Sequence, residues 1–195
     1  MAGRRALVLG GAGVFGRTIA ERLAREPGVE VVLAGRTVSS LDAAASAIRA
    51  ARPAARVAVA VLDIHDAGLG DRLRALAPTV VVDATGPFQG RDYRIPEAAI
   101  AAGASHVDIA DGRDFVAGIG TLDAAARAAG VAVVSGASSV PGLTSAVADE
   151  LATGLAVEAV RTAILPGHRQ ERGPAVMRAV LGMAGQPILV WEDGA

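Results

Sequence analysis

The stretch LVLGGAGVFGRTIAERLA, Leu7 to Ala24, decides the fold of this chain. An aliphatic run leads into Gly11-Ala12-Gly13-Val14-Phe15-Gly16, and apolar residues follow at Ile19, Ala20, Leu23 and Ala24. That last spacing is helical, so the pattern is strand, glycine turn, helix. Three readings compete: a phosphate-cradling loop, a cleaved export signal and a plain turn. Arg4 and Arg5 ahead of the apolar run imitate an export signal. Yet glycines interrupt the run, and Arg17, Glu21, Arg22 and Arg25 follow with no small-x-small cleavage site, so a cytoplasmic protein is expected. Read as G-x-G-x-x-G, each glycine has a task. Gly11 permits the tight turn, Gly13 lets the backbone approach a pyrophosphate, and Gly16 lets the helix pack closely on the strand. Val14 and Phe15 open the helix, where free N–H groups and the positive dipole end meet phosphate.

The same alternation continues outward. Strands are expected at Ala6–Leu9, Val29–Ala34, Val57–Leu62, within TVVVDATGPF, at His106–Ile109 and at Val131–Ser135. Helices are expected at Arg17–Arg25, from Ser39 or Ser40 to Ala51, from Asp66 to about Ala77, and near Ile95–Ala102 and Thr121–Ala129. The strands are continuous aliphatic runs, as in a parallel sheet covered on both faces. The fold class is therefore α/β, a doubly wound parallel sheet of about six strands. After Ser135 the pattern changes. A helix is expected from about Leu143, strands at VEAVRTAIL and PILVW, and a helix at GPAVMRAVLGMAG with Pro174 in its first turn. Residues 1–150 read as a dinucleotide-binding domain and 151–195 as the start of a second, incomplete α+β domain; the alternative is a small C-terminal extension. Unpaired edges at VRTAIL and PILVW predict pairing with a second copy, hence a homodimer.

The end of the second strand separates NADP from NAD. A carboxylate roughly 20 residues past the glycines grips the ribose 2′-hydroxyl in an NAD site. Here the place reads Ala34-Gly35-Arg36-Thr37, with Glu30 at the strand's start and Asp42 inside the next helix. Arg36 offers a planar cationic fork to a 2′-phosphate, and Thr37 adds a hydroxyl. NADP is the expected cofactor. Asp63, ending the third strand, is placed either at the adenine edge or as a turn cap. Thr85, Gly86 and Pro87, ending the fourth, are expected to pass close to the ribose and nicotinamide. The SGASSVPG loop is expected to face the nicotinamide from the other side or to serve as a turn.

Hydride transfer at a carbon bearing nitrogen or oxygen needs a proton donor or acceptor alongside. Asp111, Tyr93 and Arg113 are the candidates. Asp111 sits at a strand's carboxyl end, and Arg113 or Arg91 suits a substrate carboxylate. Asp108 also belongs to this group, whereas His106 reads as structural. His65 and His168 have no partner at ligand spacing, so no metal site is expected.

Composition narrows the field further. The 195 residues are 52% hydrophobic and only 3% aromatic, so the core must be aliphatic. A net charge of −1 gives no field for nucleic acid or a membrane surface. There is no cysteine, which excludes disulfides, thiolate metal sites and a cysteine nucleophile. There is also no lysine, which excludes a Walker A loop and a Schiff base. No apolar run reaches the length of a membrane span.

The glycine loop, AGRT, VVVDATGPFQGRDYRIPEAAIAAGASHVDIADGRDF and SGASSVPGLTSAV together resemble the saccharopine dehydrogenase (reductase-like) family, in order, over about the first 150 residues. The resemblance implies an N-terminal Rossmann domain binding NAD(P), a C-terminal substrate domain, and oxidoreduction of a C–N bond in a small amino- or imino-acid-like substrate. Some members with amino-acid dehydrogenase activity rely on lysine and histidine, and this chain has no lysine. The resemblance therefore carries over only Gly11, Gly13, Gly16, Arg36, Thr85, Gly86 and Pro87. The alternative expectation is a non-catalytic dinucleotide sensor or interaction module.

Overall fold

In the computed structural model, which describes residues 3–163, 165, 173–185 and 187, six strands form one sheet. They are β1 (Arg4–Leu9), β2 (Val29–Gly35), β3 (Arg56–Val61), β4 (Val80–Asp83), β5 (Ser105–Asp108) and β6 (Val133–Val134). Every pairing is parallel, in the order β3-β2-β1-β4-β5-β6. The order reverses beside β1, so a crevice opens at the carboxyl ends of β1 and β4.

The aliphatic runs work as two-faced strands. Leu7 and Leu9 pack with Val32, Ala34 and Val81 against α3 (Leu69–Leu76) and α4 (Arg94–Ala101). Val8, Val31, Leu33 and Val82 pack on the opposite face against α1 (Val14–Leu23) and α2 (Val38–Ala51). Successive residues of a strand point to opposite faces, so both covers require apolar side chains without a break. The few aromatics stand apart. Phe88, Tyr93 and Phe115 cluster beyond β4 and β5, with Phe115 centred 5.5 Å from Phe88 and 4.9 Å from Tyr93.

Two expectations need correction, and one element is added. The addition is a short helix after Asp111, α5 (Arg113–Gly118). Its six residues are too few for a periodic signal, and burial of Phe115 against Phe88 and Tyr93 supports it. The strand expected at Val131–Ser135 shortens to β6, beyond which Ser135 and Gly136 turn to bond Asp108. Residues 157–163 of VEAVRTAIL form no strand, and Val157 and Val160 are exposed. A strand needs a neighbour for its N–H and C=O groups, and none among the described residues lies beside this one. PILVW lies outside the described residues except Pro187. The remaining helices are α6 (Asp123–Ala129), α7 (Thr144–Ala152) and α8 (Pro174–Met183), the last beginning at the expected proline.

Candidate dinucleotide site

The crevice is a groove of about 840 Å³ at the carboxyl ends of β1 to β4. Its floor is the glycine turn. Gly10, rather than Gly11, takes the left-handed conformation, with φ +73°. Gly11 is needed for proximity instead: its N–H donates to the Ala34 carbonyl at 3.0 Å, and a Cβ there would lie 3.0 Å from Leu33 Cα. The turn is thus pressed against β2. Gly13 is exposed, lines the groove, and donates to the Gly10 carbonyl at 2.8 Å. Gly16 is buried where a Cβ would lie 2.1 Å from the Gly10 carbonyl oxygen. Only hydrogen fits between helix and turn, which holds the start of α1 beside the groove.

Of the residues expected to hold the cofactor, Gly13, Arg36, Thr37, Asp63, Thr85, Gly86 and Pro87 all line this groove. Gly11 and Gly16 lie buried beneath it, while Val14 and Phe15 open α1 at its edge, Phe15 exposed. Asp63 lines the groove, and its Oδ1 accepts the His65 N–H at 3.0 Å, as a turn cap does. Arg36 is exposed, and among the described residues no carboxylate pairs with it. Glu30 is occupied at the far end of β2, 2.9 Å from Arg5 and 3.6 Å from Arg56.

A charged cluster shapes the wall beyond β4. Asp83 is fully buried at the strand's end, and its Oδ1 accepts the Thr85 N–H at 2.9 Å and the Thr85 hydroxyl. The Gly86–Pro87 peptide is cis. Beyond this turn Arg91 folds back. Its Nη2 donates to Thr85 Oγ1 at 2.8 Å and stands 3.3 Å from Asp83 Oδ2, and its guanidinium lies 5.1 Å from the Phe88 ring centroid. Its Nη1 is buried without a hydrogen-bond partner, an orphaned cationic donor in the groove wall. From sequence, Arg91 is expected only as a possible clamp; Asp83 at the end of β4, eight residues earlier, is the available signal for its pairing.

The expected catalytic residues fall elsewhere. None of Asp111, Tyr93 and Arg113 lines the groove. The Tyr93 hydroxyl donates to the Phe115 carbonyl at 2.9 Å and packs against Gly118. Asp111 is exposed and accepts from Nε2 of Gln89, a groove residue, at 3.1 Å. Arg113 is exposed at the start of α5. Behind them His106 and Asp108 form a fully buried pair, with 3.1 Å between His106 Nε2 and Asp108 Oδ2. Asp108 Oδ1 accepts from the Ala110 N–H, the Ser135 hydroxyl and the Gly136 N–H at 2.9 to 3.0 Å. Burial pushes this carboxyl up, but the bonds from His106, Gly136, Ala110 and Ser135 outweigh it and hold it below the usual value. The pair thus ties the SGASS loop to the end of β5, and none of that loop lines the groove. Among the described residues there is no cluster of three metal-ligating side chains, and no helix is long and apolar enough to cross a membrane.

The family model of the saccharopine dehydrogenase NADP binding domain matches residues 6–135, from β1 to the end of β6. The chain belongs to this family. Its matched part is the NAD(P)-binding domain, and the groove is built by that part together with one residue of α8, Arg178. No curated protein sequence matches the chain. Among solved structures it resembles apo saccharopine dehydrogenase (L-Glu forming) from Saccharomyces cerevisiae, with 20% identity and a TM-score of 0.60 over 77% of this chain and 31% of the yeast chain. The chain thus corresponds to under a third of the yeast enzyme's length. A β-ketoacyl-[ACP] reductase from Bacteroides thetaiotaomicron matches with 17% identity and a TM-score of 0.54, over 68% of this chain and 75% of its own. A short-chain type dehydrogenase/reductase from Mycobacterium ulcerans matches with 18% identity and a TM-score of 0.52, over 68% and 66%. These likenesses show the doubly wound α/β fold.

Proposed function

We propose that this chain is the cofactor-binding part of an NADP-dependent oxidoreductase that acts on the C–N bond of a small amino- or imino-acid-like substrate. Arg36 carries the choice of NADP. It stands at the end of β2 without a carboxylate partner among the described residues, in the place where a ribose-gripping acid would sit. A 2′-phosphate there gains a bidentate cationic partner, with the Thr37 and Ser40 side chains beside it. When bound, the nicotinamide supplies or accepts a hydride. The chain's own residues hold the pyrophosphate on the first turn of α1 and shape the nicotinamide end with the Thr85–Pro87 turn. Arg91 lines that end, its guanidinium held by Asp83 and Thr85, and suits a substrate carboxylate. Asp111 is the proton-bearing group in this reading, reaching the groove's edge through Gln89, with Arg113 on the same exposed rim. Tyr93, with its hydroxyl committed to Phe115, braces the rim rather than exchanging protons.

Titration of the full chain with NADPH and NADH tests the cofactor. One charge-assisted contact is worth ~1.5–3 kcal/mol, so Arg36→Ala is expected to weaken NADPH binding by a factor of about 10 to 100. NADH affinity should stay within about twofold, because the 2′-hydroxyl makes no comparable contact. Equal loss for both dinucleotides would remove Arg36 from the 2′ site.

One observation favours a sensor without turnover: none of the three catalytic candidates lines the groove. Binding of NADPH with no turnover on any amino or keto acid would select that reading. We also propose a homodimer. Leu151 in the last turn of α7, with Leu155, Val157 and Val160 beyond it, leaves an exposed apolar stretch, and this supports the dimer where the expected strand does not. Sedimentation velocity should show a mass near twice 19.5 kDa that falls on dilution; a monomer at all concentrations excludes it.

A further inference from the structure

Four arginines line the groove: Arg36, Arg91, Arg94 and Arg178. Two are already neutralised. Arg91 pairs with buried Asp83, and Arg94 grips Asp92 through Nε and Nη2 at 2.7 to 3.0 Å. Among the described residues, Arg36 and Arg178 have no carboxylate partner. Arg178 is not part of the matched domain. It belongs to α8, well beyond β6 in sequence. The geometry places that helix beside the glycine turn: at Gly173, its N-cap, a Cβ would lie 3.6 Å from Val14 Cγ2 at the start of α1. Arg178 lies five residues further on, about 7.5 Å along the helix axis at ~1.5 Å per residue. It is exposed and lines the same groove as Gly13.

NADP(H) carries two separate anionic groups, the 2′-phosphate and the pyrophosphate. The groove carries two uncommitted cations, one at the end of β2 and one on α8. We infer that Arg178 binds the pyrophosphate from the open side of the groove, opposite the glycine turn, so that α8 completes the cofactor site. This rests on the groove being the dinucleotide site, and it adds that α8 contributes directly to affinity. The two arginines then have different signatures. Arg36 meets a group present only in NADP, whereas Arg178 meets one common to NADP and NAD.

The test is calorimetric titration of the full chain with NADPH and with NADH, in wild type, Arg178→Ala and Arg178→Lys. Arg178→Ala is expected to weaken both dinucleotides by the same factor, about tenfold for one charge-assisted contact. Arg178→Lys should recover most of the loss, since it keeps a charge but not the fork. Hydrogen exchange supplies a second readout: NADPH should slow the amides of residues 175–183 in wild type and not in Arg178→Ala. Unchanged affinity in Arg178→Ala, or a loss confined to NADPH, overturns the assignment while leaving the groove as the dinucleotide site. Failure of wild type to bind either dinucleotide overturns both.

Discussion

Gly16→Ala is expected to abolish dinucleotide binding and to destabilise the domain by about 3 kcal/mol or more, the upper end for overpacking. The added methyl would stand 2.1 Å from the Gly10 carbonyl oxygen, 2.7 Å from its carbon and 3.1 Å from Gly11 Cα. All three obstacles are backbone, so no side-chain rotation relieves them. Either α1 moves away from the turn or the turn moves into the groove. Both displace the N–H groups proposed to hold the pyrophosphate. Thermal unfolding should show a fall of roughly 6 to 12 °C, taking ~2–4 °C per kcal/mol for a chain of this size. Two comparisons isolate the cause. Gly13→Ala places its Cβ 3.1 Å from the same oxygen but at an exposed position, so stability should change little while binding is lost. Gly70→Ala adds a methyl with nothing within 4 Å inside α3, and should stabilise by ~0.5–1 kcal/mol through helix propensity alone. A Gly16→Ala protein that melts with wild type and binds NADPH would refute the packing account.

These glycines show where sequence reading works. The run Leu7-Val8-Leu9 is legible as a strand covered on both faces because alternation along a strand is a local rule, and all three side chains are fully buried. The spacing from Gly11 to Gly16 is legible as strand–turn–helix for the same reason. The division of labour inside the turn is not. The left-handed residue is Gly10, and Gly11 serves an approach to Leu33 that exists only once β2 lies beside β1. The aliphatic residues of 157–163 suit a strand, but a strand also needs a partner that local sequence does not supply. α5 was missed because tertiary burial of Phe115, rather than periodicity, holds it.

The site divides along the same line. Arg36 is legible because ligands of doubly wound sheets sit at strand ends, and the end of β2 is a known address. Asp63 and the Thr85–Pro87 turn are found by that rule too, and all of them line the groove. Arg91 and Arg178 reach it by folding back, one through the turn after β4 and the other on α8. Asp111, Tyr93 and Arg113 stand near a strand end in sequence, but none of them lines the groove: Asp111 meets it only through Gln89, and the Tyr93 hydroxyl is turned to the Phe115 carbonyl.

Asp108→Ala is expected to cost about 3–5 kcal/mol, as removal of one partner from a buried ionic cluster does. The carboxylate is the acceptor for the Ala110 N–H, the Ser135 hydroxyl, the Gly136 N–H and the His106 ring. An ionised carboxylate only accepts, so Nε2 of His106 carries the proton toward it. Alanine leaves these donors buried and unsatisfied, and it releases the SGASS loop from the end of β5. Asp108→Asn keeps one oxygen for the three Oδ1 donors and should cost less, but its amide turns a donor toward His106 Nε2. The acid limb of the stability curve provides the diagnostic. The native carboxyl titrates below the unfolded value of about 3.8, so the unfolded state takes up the proton first as the pH falls. The contribution of the ionised group is therefore complete above about pH 4 and is lost as the pH drops through the native value. Urea unfolding measured from pH 6 down to pH 3 should show wild type losing stability toward Asp108→Asn, with the gap between them narrowing below about pH 4. A constant gap over that range would mean that the neutral and ionised forms of Asp108 serve the native cluster equally well, contrary to its four inward-pointing donors.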